Sequence, residues 1–323
     1  MDRRLRAHLE IGEPSDEEFV DSSFALVLRR PPDDEARERS LSKLAEGTLS
    51  RATLLHELVT APEFERIRLL DDAIAFAAGA RERGERPRHL QGPPGSDERV
   101  VEIPWVLARL RAGRVLEVGY AFAEPAYLAA LCRLVPSGLV GVDLAETEVP
   151  GMETVVADVR ELPFDDGSFD QVLLVSTLEH VGADNAVYGL ASEADGASRT
   201  AALRELRRVL RPGGSLLVTV PLGEPEDYGW FRQEDVAGWD GLFTGAGLFI
   251  EEQETYELGE EGWRAAPAFD PTGVRYGERG PAASAVLCAD LSPHRLRRLV
   301  TPDGAKRTLR RRLGPGYRRL KGD

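Results

Sequence analysis

Acidic and polar side chains stand at the ends of several apolar runs, and these are the first candidates for chemistry. In "VLEVGYAFAEP", Glu117 lies two residues before Gly119. A glycine directly after an apolar run allows a tight turn and lets a ligand approach the backbone. A helix beginning near Glu124 or Pro125 would offer backbone N–H groups to that ligand. The pattern lacks the glycines of G-x-G-x-x-G, and its acid suits a cationic or amine-bearing ligand better than a diphosphate.

Two more acids follow the next two apolar runs. Asp143 ends "LVGVDLA", and a carboxylate there can accept two hydrogen bonds from a ribose diol. Asp158 ends "METVVAD", where it could accept a hydrogen bond from the exocyclic amine of adenine. The alternatives are a helix cap at Asp143 and an ordinary loop acid at Asp158.

The run "FDQVLLVST" ends in Ser176 and Thr177, and Glu179 and His180 follow directly. Polar groups placed directly after a central strand can reach both a cofactor and a substrate. A neutral histidine is the usual general base near pH 7, so we predict that His180 is the base and that Glu179 orients it or binds substrate. Local packing of His180 is the alternative. Glu179 and His180 are too few ligands for a divalent ion, and no required metal is predicted.

The elements that must position these residues are strands alternating with helices. Seven apolar runs from Arg114 onward, most of them separated by helical stretches, predict an α/β fold with a Rossmann-like, doubly wound, mainly parallel sheet. In such a sheet ligands bind beyond the carboxyl ends of the strands. Residues 1–88 predict an N-terminal all-α domain, in which Phe19, Val20, Phe24, Val27 and Leu28 have helical spacing.

The predicted domains are 1–88, 89–292 and a basic tail, 293–323. Residues 81–98 are rich in Arg, Gly and Pro, which is typical of a linker. The tail has eleven Lys or Arg against two Asp, a net charge of +9, so the other 292 residues of this chain of net charge −14 carry −23. An acidic body should repel nucleic acid. The tail is a solvated segment, or it contacts an anionic membrane, the acidic body of its own chain or a partner.

Composition favours the cytoplasm. The chain has two cysteines, Cys132 and Cys288, which argues against a disulfide framework and a cysteine metal site. No run reaches the ~18 apolar residues of a membrane span, and the N-terminus lacks the apolar centre of a secretory signal. The expected location is cytoplasmic, with peripheral contact to the inner face of the membrane through the tail as an alternative.

Together these motifs resemble the class I S-adenosylmethionine (SAM)-dependent methyltransferases, over residues 100–291. "VLEVG", "GVDLA", "ADVRELPFDDGSFDQVLLVSTLEHVG" and "LRELRRVLRPGGSLLVTVP" occur in the family's order and spacing. The resemblance implies a seven-stranded sheet whose last strand is antiparallel, and SAM as the cofactor. It implies that Asp143 binds the ribose and that Asp158 and Val159 meet the adenine. The cofactor residues expected from it are Glu117, Gly119, Tyr120, Ala121, Asp143, Leu144, Asp158, Val159 and Ser176.

The chain differs from the usual family pattern at two places, and its N-terminal part resembles a second family. Ala121 and Ala123 stand where the family usually has glycines, and alanine at positive φ costs roughly 1 kcal/mol. Ser176 stands where some catechol-type relatives have a metal-binding acid. Residues 24–64 resemble a bacterial helical domain of unknown function that often accompanies enzymes of surface-glycan assembly.

The predicted function is SAM-dependent methyl transfer to a hydroxyl of a glycan or sugar-containing intermediate. The expected acceptor walls are Tyr188, Tyr228, Trp230 and Arg232, which follow the fourth and fifth runs. The alternatives are a small-molecule O- or N-methyltransferase of natural-product or quinone type, and a non-catalytic scaffold in glycan assembly, which the alanine-substituted loop would favour. A nicotinamide dehydrogenase would need the missing glycines.

Overall fold

A computed structural model describes residues 14–186, 189, 198–280 and 282–293. Within these the chain divides into two compact units, one ending at Asp72 and one beginning at Ala73. The expected acceptor residue Tyr188 and nearly all of the basic tail lie outside the described residues. The domain boundaries given above stay predictions.

The first unit is helical, as the sequence predicts. Its helices are α1 (Asp16–Leu28), α2 (Asp34–Ala45), α3 (Arg51–Val59) and the start of α4 (Pro62–Glu82), which continues into the second unit. Ser15 and Glu18 form a capping box on α1, and Asp33 and Ser50 cap α2 and α3. The five apolar residues predicted for α1 are all buried in one core cluster.

The second unit is built on an eight-stranded sheet. Its strands are β1 (Val115–Val118), β2 (Leu139–Asp143), β3 (Glu153–Val156), β4 (Phe169–Val175), β5 (Leu210–Pro221), β8 (Phe249–Gly259), β9 (Gly262–Ala265) and β10 (Ala285–Ser292). The order across the sheet is β3-β2-β1-β4-β5-β10-β8-β9. The pairs within β3-β2-β1-β4-β5 are parallel, and β10 is antiparallel to both β5 and β8.

The seven predicted strands are all present, and the last is antiparallel as expected. The predicted count of seven is one short, because β9 adds an antiparallel hairpin to β8. Two short strands, β6 (Glu226–Asp227) and β7 (Arg232–Gln233), form a separate pair. Strands of two residues carry too little hydrophobic alternation to be recognised in a sequence.

The helices of this unit are α5 (Arg99–Leu107), α6 (Pro125–Leu134), α7 (Ser198–Val209) and α8 (Val236–Gly245). Helix α7 packs on β5, and α8 on β8. Helix α5 packs on β10 and β4, and from Val100 to Leu107 it is buried throughout. The sequence suggested a strand or turn at its start, since a run that is apolar on every side has no period to distinguish a helix from a strand.

Among the described residues, no helix has both the length and the apolar character needed to cross a bilayer.

Candidate functional site

One cavity of about 300 Å³ lies at the carboxyl ends of the parallel strands. Gly119 follows β1, Asp143 ends β2, Asp158 follows β3 and Ser176 follows β4, and all four line this cavity. The sequence reasoning that placed a ligand at this edge is therefore consistent with the geometry. A volume of this size is at the lower end of those that hold small ligands.

The turn after β1 needs glycine at a single position. Gly119 has φ +86°, and a Cβ there would come within 2.4 Å of Thr177 Oγ1. Ala121 is not among the described residues with positive φ, and Ala123 has φ −73°. The prediction of backbone strain at these alanines is therefore wrong. The chain forms a short 3₁₀ turn, Tyr120–Phe122, which does not require glycine at either position.

Asp143, at the end of β2, is hydrogen-bonded to this turn. Its Oδ2 accepts a hydrogen bond from the Ala121 N–H at 3.0 Å, and its Oδ1 accepts one from the Ala145 N–H at 3.0 Å. Each carboxylate oxygen has a second lone pair, so the group retains acceptor capacity toward the cavity. No helix lies among the described residues between β2 and β3, so the helix-cap alternative for Asp143 is wrong, and the carboxylate stands at a position suited to binding a diol.

Asp158 is held by its own loop. Arg160 donates to both carboxylate oxygens, with Nε 3.0 Å from Oδ1 and Nη2 2.6 Å from Oδ2. The hydrogen bonds from Arg160 lower the pKa of Asp158 below its ordinary value, so the group is ionised at neutral pH. Val159 and Leu144 line the cavity beside it.

Three of the expected cofactor residues do not line the cavity. Glu117 is buried within β1, and its Oε2 accepts a hydrogen bond from the Tyr127 hydroxyl at 2.8 Å. Burial raises the pKa of Glu117 well above its usual range. Tyr120 is buried and its hydroxyl donates to the Thr147 carbonyl, while Ala121 contributes its N–H to Asp143. Tyr127, rather than Glu117, reaches the cavity wall.

His180 lies at the other side of the cavity, in a 3₁₀ turn, Leu178–His180. Its Nδ1 is 3.0 Å from the Trp230 carbonyl oxygen. Because a carbonyl can only accept, Nδ1 carries the ring proton and Nε2 is the nitrogen that can take one up. Burial lowers the pKa of His180 below its ordinary value, with the Trp230 carbonyl opposing this, so the ring is neutral at pH 7.

Aromatic side chains form the wall next to His180. Trp230, Phe231 and Tyr276 line the cavity, and the Phe231 ring lies 4.7 Å from Tyr276 and 4.6 Å from Trp230. Of the three expected acceptor residues that the structure describes, only Trp230 lines the wall. Tyr228 stacks on Phe231 at 4.6 Å, and Arg232 pairs with Asp227 at 2.9 Å, and neither lines the cavity.

Sequence reasoning missed the contribution of α5 and its first turn. Glu98, Arg99 and Glu102 line the cavity, although they precede β1 by more than ten residues. Glu102 accepts hydrogen bonds from the Ser176 hydroxyl at 3.0 Å. The available signal was an acid inside the apolar run "VVEIPWV", since an acid in such a run is seldom buried without a partner.

No group of three or more His, Cys, Asp or Glu in the described part of the chain is arranged to hold a metal ion. Glu179 and His180 both line the cavity, with Glu179 almost fully buried.

Comparison with protein families gives two matches. Residues 116–218 match a family described as a methyltransferase domain. Residues 7–67 match a domain of unknown function, DUF4214.

Curated relatives match over short stretches. A ubiquinone/menaquinone biosynthesis C-methyltransferase of Hahella chejuensis is 33% identical over 116 residues, 36% of this chain and 40% of that protein. A tRNA (carboxymethyluridine(34)-5-O)-methyltransferase of Arabidopsis thaliana is 34% identical over 77 residues, 24% of this chain and 16% of that protein. The chain thus spans less than half the length of these relatives.

Among solved structures, a 1,6-didemethyltoxoflavin-N1-methyltransferase of Burkholderia thailandensis, with its substrate and S-adenosylhomocysteine bound, aligns at 14% identity. The alignment covers 84% of this chain and 89% of that one, with a TM-score of 0.40.

Proposed function

We propose that this chain, whose residues 116–218 match a methyltransferase domain, transfers a methyl group from SAM. The acceptor we propose is a hydroxyl of a glycan or sugar-containing intermediate. The observation that carries the proposal is a single cavity with Asp143 and Asp158 at one end and His180, held by the Trp230 carbonyl, at the other.

The residues at the first end fit SAM. The cofactor is a sulfonium with an adenosine and no phosphate, and it supplies the methyl group. Asp143 has acceptor capacity for the ribose diol, and Asp158 is an ionised acceptor near the apolar Val159, which suits an adenine ring and its amine. Gly119 is required in the turn after β1, because its φ is +86° and a Cβ there would meet Thr177.

The second end fits an acceptor that must lose a proton. Methyl transfer is a direct displacement, so the protein must align donor and acceptor, exclude water and remove one proton. His180 is neutral and oriented by the Trp230 carbonyl, so its Nε2 can accept the hydroxyl proton as the oxygen is methylated. Trp230, Phe231 and Tyr276 give flat apolar faces against which a sugar ring can stack.

The same flat walls favour a second candidate, a small-molecule acceptor of quinone or natural-product type. The similarity to a ubiquinone/menaquinone C-methyltransferase is consistent with that candidate. The non-catalytic scaffold loses its main support, because Ala121 and Ala123 do not need the glycine conformation. The association with glycan assembly rests on the DUF4214 match alone.

Calorimetric titration of the purified chain with SAM, with NAD as the control ligand, tests the cofactor. Transfer of labelled methyl groups from SAM to two panels of acceptors, glycan intermediates and quinone-type aromatics, then tests the substrate class. Methylation of sugars that is lost in a His180→Asn variant supports the proposal. Methylation of aromatics alone favours the second candidate, and SAM binding without turnover on either panel favours the scaffold.

The basic tail is a separate proposal. We propose that residues 293–323, with their net charge of +9, bind anionic surfaces such as the inner face of a membrane. Sedimentation with anionic and neutral vesicles, comparing the full chain with one ending at Ser292, tests it.

A further inference from the structure

Three buried carboxyl groups meet at one end of the cavity, and we call them the acidic recess. Glu98 and Glu102 lie one turn apart at the start of α5, and Glu179 lies in the 3₁₀ turn after β4. Their exposed fractions are 8%, 0% and 4%, and all three line the cavity. Buried carboxyl groups without compensation are costly, so their presence together requires an explanation.

The recess lacks enough internal partners. Glu102 accepts from Ser176, but Oε2 of Glu98 and Oε2 of Glu179 are buried and have no hydrogen-bond partner among the described residues. Arg99 is the neighbouring cation, with its Nη1 3.9 Å from Glu98 Oε1. The same guanidinium also faces Asp97 at 3.5 Å and Glu124 at 3.4 Å, so one positive charge is shared among several acids.

A metal ion does not fit this arrangement. In the described part of the chain, no three His, Cys, Asp or Glu side chains are placed to ligate one ion together. A larger cation that donates several hydrogen bonds does not require its acceptors to converge on one point. A protonated amine has three such donors and the required charge.

The recess lies beside the ends of β1 and β4. Glu102 is hydrogen-bonded to Ser176, which follows β4, and Arg99 pairs with Glu124, which precedes the helix after β1, so the recess borders the turn proposed to hold the cofactor. Glu179 and His180 belong to the same 3₁₀ turn, and both line the cavity.

We propose that the acidic recess of Glu98, Glu102 and Glu179 binds a protonated amine of the acceptor, which is therefore a sugar with a free amino group. This assignment rests on the proposed methyl transfer and narrows its substrate class. The ammonium donates to the unpartnered oxygens of Glu98 and Glu179, and the ring packs on Trp230 and Phe231, whose π faces also attract a cation. The amine is an anchor, and a neighbouring hydroxyl is presented to His180.

SAM also has an ammonium, on its methionine part, so the experiment must separate the two sources. The full chain is titrated calorimetrically with S-adenosylhomocysteine, which has the same ammonium. It is then titrated at pH 7 with glucosamine and with N-acetylglucosamine, both with and without saturating S-adenosylhomocysteine. Acetylation removes the charge and leaves the sugar ring unchanged.

We expect glucosamine to bind the wild-type chain at least about tenfold more tightly than N-acetylglucosamine. Glu98→Gln and Glu179→Gln keep the side-chain shape and should abolish that preference while S-adenosylhomocysteine binds unchanged. Glu261→Gln, at an exposed position in the turn between β8 and β9, is the matched control and should keep the preference. Thermal unfolding of each variant checks that it is folded.

Two results would overturn the assignment. One is equal binding of the two sugars to the wild-type chain. The other is a loss of S-adenosylhomocysteine affinity in the Gln variants as large as the loss of glucosamine affinity, which would give the recess to the cofactor. Failure of the wild-type chain to bind S-adenosylhomocysteine would instead count against methyl transfer, while the titrations without it still test the recess.

Discussion

The hydroxyl oxygen of Ser176 lies 3.0 Å from each carboxylate oxygen of Glu102, so the residue that follows β4 is hydrogen-bonded to the helix that precedes β1. Ser176 has φ +44°, a conformation that costs a non-glycine residue about 1 kcal/mol or more. The hydrogen bond to a buried carboxyl group and the contacts of its N–H with Thr219 hold it there.

Replacement of Ser176 separates these two effects. Ser176→Ala keeps the strained conformation and removes the donor to Glu102, so we expect a loss of about 1–3 kcal/mol in the free energy of unfolding. Ser176→Gly also removes the donor but relieves the backbone strain, so its free energy of unfolding should fall less than that of the alanine variant. Urea unfolding of both variants measures the difference. An alanine variant as stable as the wild type would mean that the contact contributes nothing.

Glu102→Gln should change how stability depends on pH. Burial, with Glu98 adding and Arg99 opposing, raises the pKa of Glu102 from 4.5 to about 8. An acid whose folded pKa is raised favours the folded state below the unfolded pKa, and this contribution is lost as pH rises through about 8. Relative to the Gln variant, the wild type should therefore be less stable at pH 9 than at pH 5. Since one pKa unit corresponds to about 1.4 kcal/mol, the change should be a few kcal/mol.

Urea unfolding of the wild type and the Glu102→Gln variant at pH 5, 7 and 9 measures that difference. Glu261→Gln is again the control, because an exposed glutamate should give a difference that stays constant over this range. A pH-independent difference for Glu102→Gln would show that the carboxyl group titrates near its ordinary value.

His180→Asn should lower the rate constant for methyl transfer by about 10²- to 10⁴-fold, because the amide cannot take up the acceptor proton. S-adenosylhomocysteine affinity should be unchanged. In the wild type, the lowered pKa of His180 means that the rate should rise with pH to a plateau reached below neutrality. Single-turnover rates measured between pH 5 and 8 check both expectations, and a variant with the wild-type rate would remove His180 as the base.

Asp143 should contribute to cofactor affinity both by holding the turn after β1 and by accepting hydrogen bonds from the ribose. Asp143→Ala removes the acceptor for the Ala121 and Ala145 N–H groups and the acceptor proposed for the ribose, so S-adenosylhomocysteine should bind at least about tenfold more weakly, or about 1.4 kcal/mol. Asp143→Asn keeps one carbonyl oxygen, so its affinity for S-adenosylhomocysteine should lie between those of the wild type and the alanine variant. Calorimetry measures all three affinities, and equal values would exclude this carboxylate from the site.

Replacing Ala121 and Ala123 by the glycines usual in the family should raise neither the stability of the chain nor its affinity for the cofactor. In the double variant Ala121→Gly, Ala123→Gly we expect about 0.5–1 kcal/mol less stability for each change, because neither alanine has the positive φ that would favour glycine. Cofactor affinity should stay the same or fall slightly. Chemical denaturation and calorimetry test this, and tighter binding in the variant would show that the alanines obstruct the loop.

The sequence by itself determined the sheet and the clustering of the residues proposed to bind the cofactor. Each of Gly119, Asp143, Asp158 and Ser176 follows a strand that local apolar patterning reveals. Parallel strands bring their carboxyl ends to one edge, so their clustering follows from the order of elements alone. The helix caps at Ser15, Asp33 and Ser50 are also local, because the side chain and the N–H that it accepts from are three residues apart.

Only the tertiary structure decided the other end. Glu98 and Glu102 lie at the start of a helix whose largely apolar sequence has no period. Phe231 comes from the turn between β6 and β7, and Tyr276 from the segment between β9 and β10. Their meeting depends on the packing of α5 on β4 and β10, a long-range arrangement that no local pattern encodes. Packing also explains why Glu117 and Tyr120, which belong to the motif, are buried and do not line the cavity. Tyr127, in the first turn of α6, lines it instead.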